Sequence, residues 1–293
     1  MLSRGSQMAR VTSPMWHRFF WAAAALLAGH GCGALQFVTT ADGHKLWYKW
    51  SRQPESAAGL APLVVLHGGP QVPSDYLFDM ERVSGGDRAV LFFDQLGCGR
   101  SDKPEAGDAY SVDLAVRDLG SVLEALDVDR YHLYGQSWGG LLAFLKASSG
   151  DGTPPLSLTL SNTPSSVPLV EAEAGALAEK CEDASAFMDR HNYRGGSPSP
   201  LLAAAYDHAG SSWRGTAAIA GLEASAEAMA RVPCPTLILR GEHDFVTARC
   251  VEAWRGIGDV AFEELQGCSH HALLEDPDEY LGVVGAFLAA SDR

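Results

Sequence analysis

The sequence predicts an α/β fold: a mostly parallel central sheet with helices on both faces and a helical cap inserted over one edge. Three observations carry that prediction. Short apolar runs without polar alternation recur at residues 63–66, 89–93, 131–134, 156–160 and 236–239, as strands buried on both faces require. Helical stretches follow the second, third and last of these regions, at 111–126, 138–148 and 277–290, and strand–helix alternation is the mark of a parallel sheet. Between residues 161 and 232 no strand pattern occurs. That stretch is rich in Ala and Glu, reads as helix, and is interrupted by Arg194-Gly-Gly-Ser-Pro-Ser-Pro200.

The elements follow in order. Residues 37–40 and 45–50 form an antiparallel hairpin, because Asp42-Gly43 supplies the turn chemistry. The run at 63–66 breaks at Gly68-Gly69-Pro70, and the run at 89–93 ends in Asp94. Over 111–126, Leu114, Leu119, Val122, Leu123 and Leu126 fall near one stripe, with Ser111 as N-cap. The third strand ends at Gly135 and passes directly into helix. The chain returns to the sheet at Pro233-Cys-Pro235, runs through 236–240, and makes its last strand over 260–265. The final helix starts at Pro277, a residue suited to a first turn. The expected division is a core of residues 35–162 and 232–293, with a cap of 163–231 over the strand ends, where ligands bind in such sheets.

Composition narrows the function. The 293 residues include 22 Lys+Arg against 36 Asp+Glu, a net charge of −14, with 46% hydrophobic and 20% charged residues. Nucleic-acid binding needs a basic patch, which this balance disfavours. No apolar run is long enough to span a bilayer, so no stable membrane insertion is expected. Every acidic residue lies from Asp42 onward, whereas Arg4, Arg10 and Arg18 precede an apolar run at 19–29 and small residues at 31–34. That order is the pattern of a secretory signal or organelle transit peptide, so residues 1–34 are expected to be a targeting segment leading away from the cytoplasm. The six cysteines (Cys32, Cys98, Cys181, Cys234, Cys250 and Cys268) show no CxxC spacing, which gives no zinc or thioredoxin-type motif. No metal or organic cofactor is indicated.

The chemistry lies in Gly135-Gln136-Ser137-Trp138-Gly139, a G-x-S-x-G between a strand and a helix. Such a sharp turn lifts a serine hydroxyl above the sheet, and its glycines relieve crowding. Serine needs a base, and the base an orienting acid, in the chain order Ser, acid, His. Asp244 follows a strand and fits the acid, with Glu242 as competitor. His270 and His271 follow the last strand, and one of them is the base. Oxyanion donors would be the N–H of Trp138 and one from the loop His67-Gly68-Gly69-Pro70.

These motifs together resemble the proline iminopeptidase (prolyl aminopeptidase) group of α/β-hydrolases, which includes the tricorn-interacting aminopeptidases. The matching stretches are His67-Gly-Gly-Pro70, Asp94-Gln-Leu-Gly-Cys-Gly-Arg-Ser101, Gly135-Gln-Ser-Trp-Gly-Gly140, Ser165-Ser-Val-Pro-Leu169, Gly241-Glu-His-Asp244, and Cys268-Ser-His270 with Glu275-Asp276. The resemblance implies an α/β-hydrolase fold with Ser137 as nucleophile, Asp244 as acid and His270, not His271, as base. It implies Gly69 and Trp138 as oxyanion donors. It also implies a small peptide or amide substrate with an N-terminal proline or other small apolar residue. The sequence departs from that group in three places. Gln71 replaces the last glycine of the HGGPG loop, the cap is short, and Phe245 follows Asp244 where some members carry glutamate. Carboxylates to hold a free α-amine are then sought at Glu223 and Glu227, or at Glu171 and Glu173. If none faces the site, an esterase or lipase-like hydrolase of the same mechanism is the alternative. A non-catalytic binding protein of this fold is disfavoured by the complete Ser/Asp/His set.

Overall fold

The chain opens on an antiparallel pair, Gln36–Thr39 (β1) and Lys45–Trp50 (β2), joined through a turn in which Gly43 takes a φ of 86°. The computed structural model describes residues 36–54, 59–105, 110–196, 199–211, 213 and 217–292. The expected targeting segment at 1–34, with Cys32, lies outside the described residues. The remaining strands are Leu63–Leu66 (β3), Val90–Phe93 (β4), His132–Gln136 (β5), Leu158–Ser161 (β6), Thr236–Gly241 (β7) and Val260–Leu265 (β8). They form one sheet of order β1-β2-β4-β3-β5-β6-β7-β8. β2 meets β4 antiparallel, and every pairing from β4 to β8 is parallel.

The unbroken apolar runs are explained by two buried faces. Within β3, Val64 and Leu66 join one core cluster, while Leu63 and Val65 join the other. β4 divides the same way, Leu91 and Phe93 against Val90 and Phe92. Each face is covered by helix. On the first lie Val112–Ala125 (α1) and Trp138–Ser149 (α2), which also touch each other. Ser111 caps α1 as expected, its hydroxyl accepting from Leu114 N at 3.1 Å. Between β6 and β7 come the helices Val167–Ala178 (α3), Ala184–Phe187 (α4), Pro200–Asp207 (α5) and Ala226–Ala230 (α6). Ala248–Val251 (α7), Ala272–Glu275 (α8) and Pro277–Ser291 (α9) follow. α8 and α9 pack on the second face beside a 3-10 segment, Ser74–Gly86.

One buried cation, Arg88, is anchored by a carboxylate from the end of the chain's last helix. Arg88, 1% exposed, is held by Asp292 at 2.6 Å, and His132 Nε2 reaches the same carboxylate at 3.1 Å. Burial opposes ionisation of Asp292, yet the Arg88 and His132 hydrogen bonds outweigh it and hold its pKa down to about 2. Cys98, Cys181, Cys234, Cys250 and Cys268 are free thiols. Among the described residues no helix is long and apolar enough to cross a membrane.

Asp118 is the misfit in the inward stripe of α1. It is 4% exposed, and its Oδ1 finds no hydrogen-bond partner among the described residues. Burial, reinforced by the Asp42 charge, raises its pKa from 3.8 to about 7. Between those values the folded chain holds a proton that the unfolded chain has lost. The stability this supplies is full below about pH 4 and lost as pH rises to about 7. Asp118→Asn is expected to remove that loss, which amounts to at most about 1.4 kcal/mol per pH unit in the window. In urea unfolding the variant should match the wild type near pH 4 and exceed it at pH 8; parallel pH profiles would contradict the assignment.

Candidate active site

The parallel strands deliver the polar residues of interest from their carboxyl ends, the edge where open α/β sheets bind ligands. β3 leads to His67–Gln71 territory, β4 to Asp94, β5 to Ser137, β6 to Asn162, β7 to Asp244 and β8 to His270. The tightest of these exits is at Ser137. Its backbone sits at φ 55°, ψ −120°, a conformation that costs energy and persists only where neighbours impose it. Here the neighbours are close. A Cβ at Gly135 would overlap the Gly139 carbonyl, and one at Gly139 would lie 2.6 Å from the His67 carbonyl oxygen. The Ser137 amide donates to Ser161 O at 2.8 Å, which ties the turn to β6.

Asp244 and His270 meet directly. His270 Nδ1 lies 2.8 Å from Asp244 Oδ1, with both side chains nearly or fully buried. A carboxylate only accepts, so Nδ1 carries the proton and Nε2 is left with a free lone pair while the ring is neutral. Asp244 is fixed from two further sides. Its Oδ1 accepts from Val246 N at 2.9 Å and its Oδ2 from Asn162 Nδ2 at 2.6 Å. Asn162 also donates to Ser269 O and accepts from Ser161 Oγ. Tyr280 Oη donates to that Ser161 hydroxyl at 2.6 Å, and Tyr134 Oη lies 2.6 Å from Tyr280 Oη. Phe245 covers the imidazole, its ring centroid 4.1 Å from that of His270 with an interplanar angle of 32°. Glu242, the competing acid, instead accepts from Gly267 N and lies near His243.

His271 has different surroundings. It is buried, its Nε2 is 3.2 Å from Tyr206 Oη, and its Nδ1 has no hydrogen-bond partner among the described residues. Burial and the adjacent His270 charge hold its pKa well below the ordinary histidine range. His67 is likewise pushed down by burial. Its Nε2 accepts from Gln95 N at 2.9 Å, which fixes the tautomer with the proton on Nδ1. Gln95 links this loop to the serine turn, because Gln95 Oε1 accepts from Trp138 Nε1 at 2.8 Å and Gln95 Nε2 donates to His67 O. Gln136 makes a second link. Its Oε1 accepts from Tyr76 Oη and its Nε2 donates to His270 O, while Tyr76 Oη accepts from Gly68 N.

Ser137, His270, His271, Gly69 and Trp138 line a single cavity of about 490 Å³. Its walls are mostly apolar, among them Leu141, Val167, Val170, Met188 and Ile219. The carboxylates on it are Glu171, half-buried on α3, and the exposed Asp189 and Asp207. No lysine or arginine lines it among the described residues. The structure does not bring Glu223 or Glu227 to this cavity. Glu223 is exposed and accepts from Ser166 Oγ, and Glu227 is exposed and pairs with Arg231 at 3.5 Å. The reason is local. Ser225 caps α6, so the helix turns its Met229 inward and its acidic side chain to water. Glu173 is engaged by Arg249 and Thr247. Of the four acidic candidates, only Glu171 reaches the cavity.

The model of the alpha/beta hydrolase family matches residues 63–283, and the chain belongs to this family. Within the family it is similar to proline iminopeptidases. The enzyme of Lactobacillus delbrueckii subsp. lactis is 35% identical over 166 residues, which span 55% of this chain and 56% of that protein. The chain thus spans about half the length of the Lactobacillus delbrueckii relatives it matches. The proline iminopeptidase of Heyndrickxia coagulans is 27% identical over 272 residues, covering 78% of this chain and 91% of that one. The crystal structure of the Mycobacterium smegmatis proline iminopeptidase superposes with a TM-score of 0.79 at 26% identity, covering 88% of this chain and 99% of that chain.

Sequence reasoning missed Asn162, Gln136 and the carboxylates Asp189 and Asp207. A signal for Asn162 existed, because a Ser-Asn pair ends a sheet strand at the edge where ligands bind. Nothing marks Asp189 and Asp207 in the sequence, since their position depends on how α5 and the π-helical turn Met188–Asn192 pack. Asn162→Ala leaves a buried Asp244 oxygen without its donor. The expected loss is about 1.5–3 kcal/mol in urea unfolding at pH 7, the usual worth of a hydrogen bond to a charged group. A change below about 0.5 kcal/mol would show that the bond adds little to holding Asp244.

Proposed function

We propose that the protein is a serine hydrolase that releases an N-terminal proline, or another small apolar residue, from peptides or amides through an acyl-enzyme. One observation carries this reading. The His270–Asp244 pair and the strained Ser137 turn open on one cavity whose charged lining is acidic. His270 Nε2 takes the Ser137 proton as Oγ attacks the substrate carbonyl, then returns it to the leaving amine. Asp244 holds the imidazole in the working tautomer and stabilises its charged form. The Gly69 and Trp138 amides donate to the oxyanion of the tetrahedral intermediate. Water, activated by the same His270, then releases the acid.

The free amine of such a substrate is a strongly hydrated ammonium, and its transfer into an apolar cavity is costly without a charged partner. Glu171 supplies that partner from α3, with Asp189 and Asp207 adding to the negative field. The similarity to proline iminopeptidases supports the same substrate class. A second reading, an esterase or lipase-like enzyme of the same mechanism, is favoured by the mostly apolar walls and by the outward orientation of Glu223 and Glu227.

Proline p-nitroanilide and its N-acetyl form separate the two readings. The aminopeptidase reading predicts that acetylation lowers kcat/KM tenfold or more, about 1.4 kcal/mol of lost transition-state binding. Glu171→Gln should erase most of that difference. Equal kcat/KM on the free and acetylated substrates would refute the aminopeptidase reading and leave the esterase in its place.

A further inference from the structure

Gln71 stands where the related loop carries glycine, and its backbone shows why glycine would suit. Its φ is 72°, in the left-handed region that side chains other than Asn, Asp and His rarely adopt. The residue is 2% exposed, and its Nε2 has no hydrogen-bond partner among the described residues. A strained backbone and an unpartnered buried amide are both unfavourable, and glycine would relieve both. Strain of this kind persists where surrounding contacts impose it.

Those contacts lead to the helical stretch between β6 and β7. Gln71 Oε1 accepts from Trp213 N at 3.0 Å, and Gln71 O accepts from Gly210 N at 2.9 Å. Gly99 N donates to His208 O at 3.1 Å alongside them. The space is tight: a Cβ at Gly97 would overlap the Gln71 amide, and one at Gly210 would lie 2.9 Å from its Cδ. Gly210 and Trp213 are thus seated on the loop that carries Gly69, with only Pro70 between Gly69 and Gln71. The fixed φ of proline makes that a stiff joint. The same Trp213 packs its ring 5.2 Å from that of Trp138, the residue after the serine. One segment therefore touches the loops bearing both proposed oxyanion donors.

We propose that Gln71 is a positioning residue: its side chain latches Trp213 to the Gly69 loop and so fixes the Gly69 amide relative to the Trp138 amide. This rests on the serine-hydrolase reading above. The hydrogen bonds of Gln71 run to Gly210 and Trp213 rather than to the serine or the imidazole. Its effect is on where the oxyanion donor stands, so it acts on the transition state more than on ground-state binding.

Gln71→Gly and Gln71→Met test the latch. Gly removes strain and latch together, whereas Met keeps the volume and removes the acceptor. In Gln71→Gly the expected Tm is equal to or above that of the wild type, while kcat on proline p-nitroanilide falls tenfold or more with KM within twofold. Phosphonylation by a fluorophosphonate should slow in parallel, and Gln71→Met should show the same kcat loss. Amide exchange of a peptide covering 208–213 should quicken at least tenfold in Gln71→Gly. Unchanged exchange overturns the latch whatever the activity. Quickened exchange with wild-type kcat and phosphonylation in Gln71→Gly overturns the positioning role. A wild type that reacts with neither substrate nor probe contradicts the serine-hydrolase reading, a result distinct from both.

Discussion

The geometry of the candidate site depends on one backbone constraint, the reversal at Ser137. A chain leaving β5 must enter α2 within a single residue, and the left-handed φ of Ser137 is the conformation that achieves it. The reversal is possible because no side chain stands at Gly135 or Gly139, where the chain closes on itself and on the end of β3. It also places the first amides of α2, which lack an intrahelical acceptor, beside the serine. The same strain that makes the turn unfavourable in isolation lifts the hydroxyl clear of the sheet. The two core clusters on either face of the sheet supply the packing that imposes it.

The second constraint is the depth at which the acid is anchored. A chain of hydroxyl and amide contacts runs from Tyr134 on β5 through Tyr280 on α9, Ser161 on β6 and Asn162 to Asp244. It couples the carboxylate to the middle of the sheet and to the last helix, although Asp244 itself lies in a loop. Gln136 and Gln95 tie the imidazole loop and the Gly69 loop back to the serine turn. A site built from loops after several strands is held together by the hydrogen bonds of the side chains around it.

Much of this was legible in the sequence. Both-face burial writes apolar runs, so the strands at 63–66, 89–93 and 236–239 stood out, and Ser111 announced α1. The serine turn was visible through its glycines, and the resemblance of the motifs separated His270 from His271. The structure adds a physical distinction between the two, since His270 has a carboxylate partner and His271 is buried without one. Of the carboxylates that line the cavity, Glu171 was among the candidates the sequence offered, whereas Asp189 and Asp207 were not legible. Glu223 and Glu227 sit on an Ala/Glu-rich stretch whose inward face is chosen by Met229 and by the Ser225 cap, and neither sets a pattern strong enough to read. Asp189 and Asp207 reach the cavity through the packing of the turn Met188–Asn192 and of α5. The left-handed φ at Gln71 was equally hidden, because the sequence there signals glycine by its neighbours and then supplies glutamine.

The central claim is that Ser137 Oγ is the nucleophile that forms the covalent intermediate. It is tested most directly by reacting the protein with a fluorophosphonate, digesting it, and locating the added mass by peptide fragmentation. A single adduct on the peptide containing Ser137 is the predicted result. An adduct on another residue, or undiminished labelling of Ser137→Ala, would contradict it.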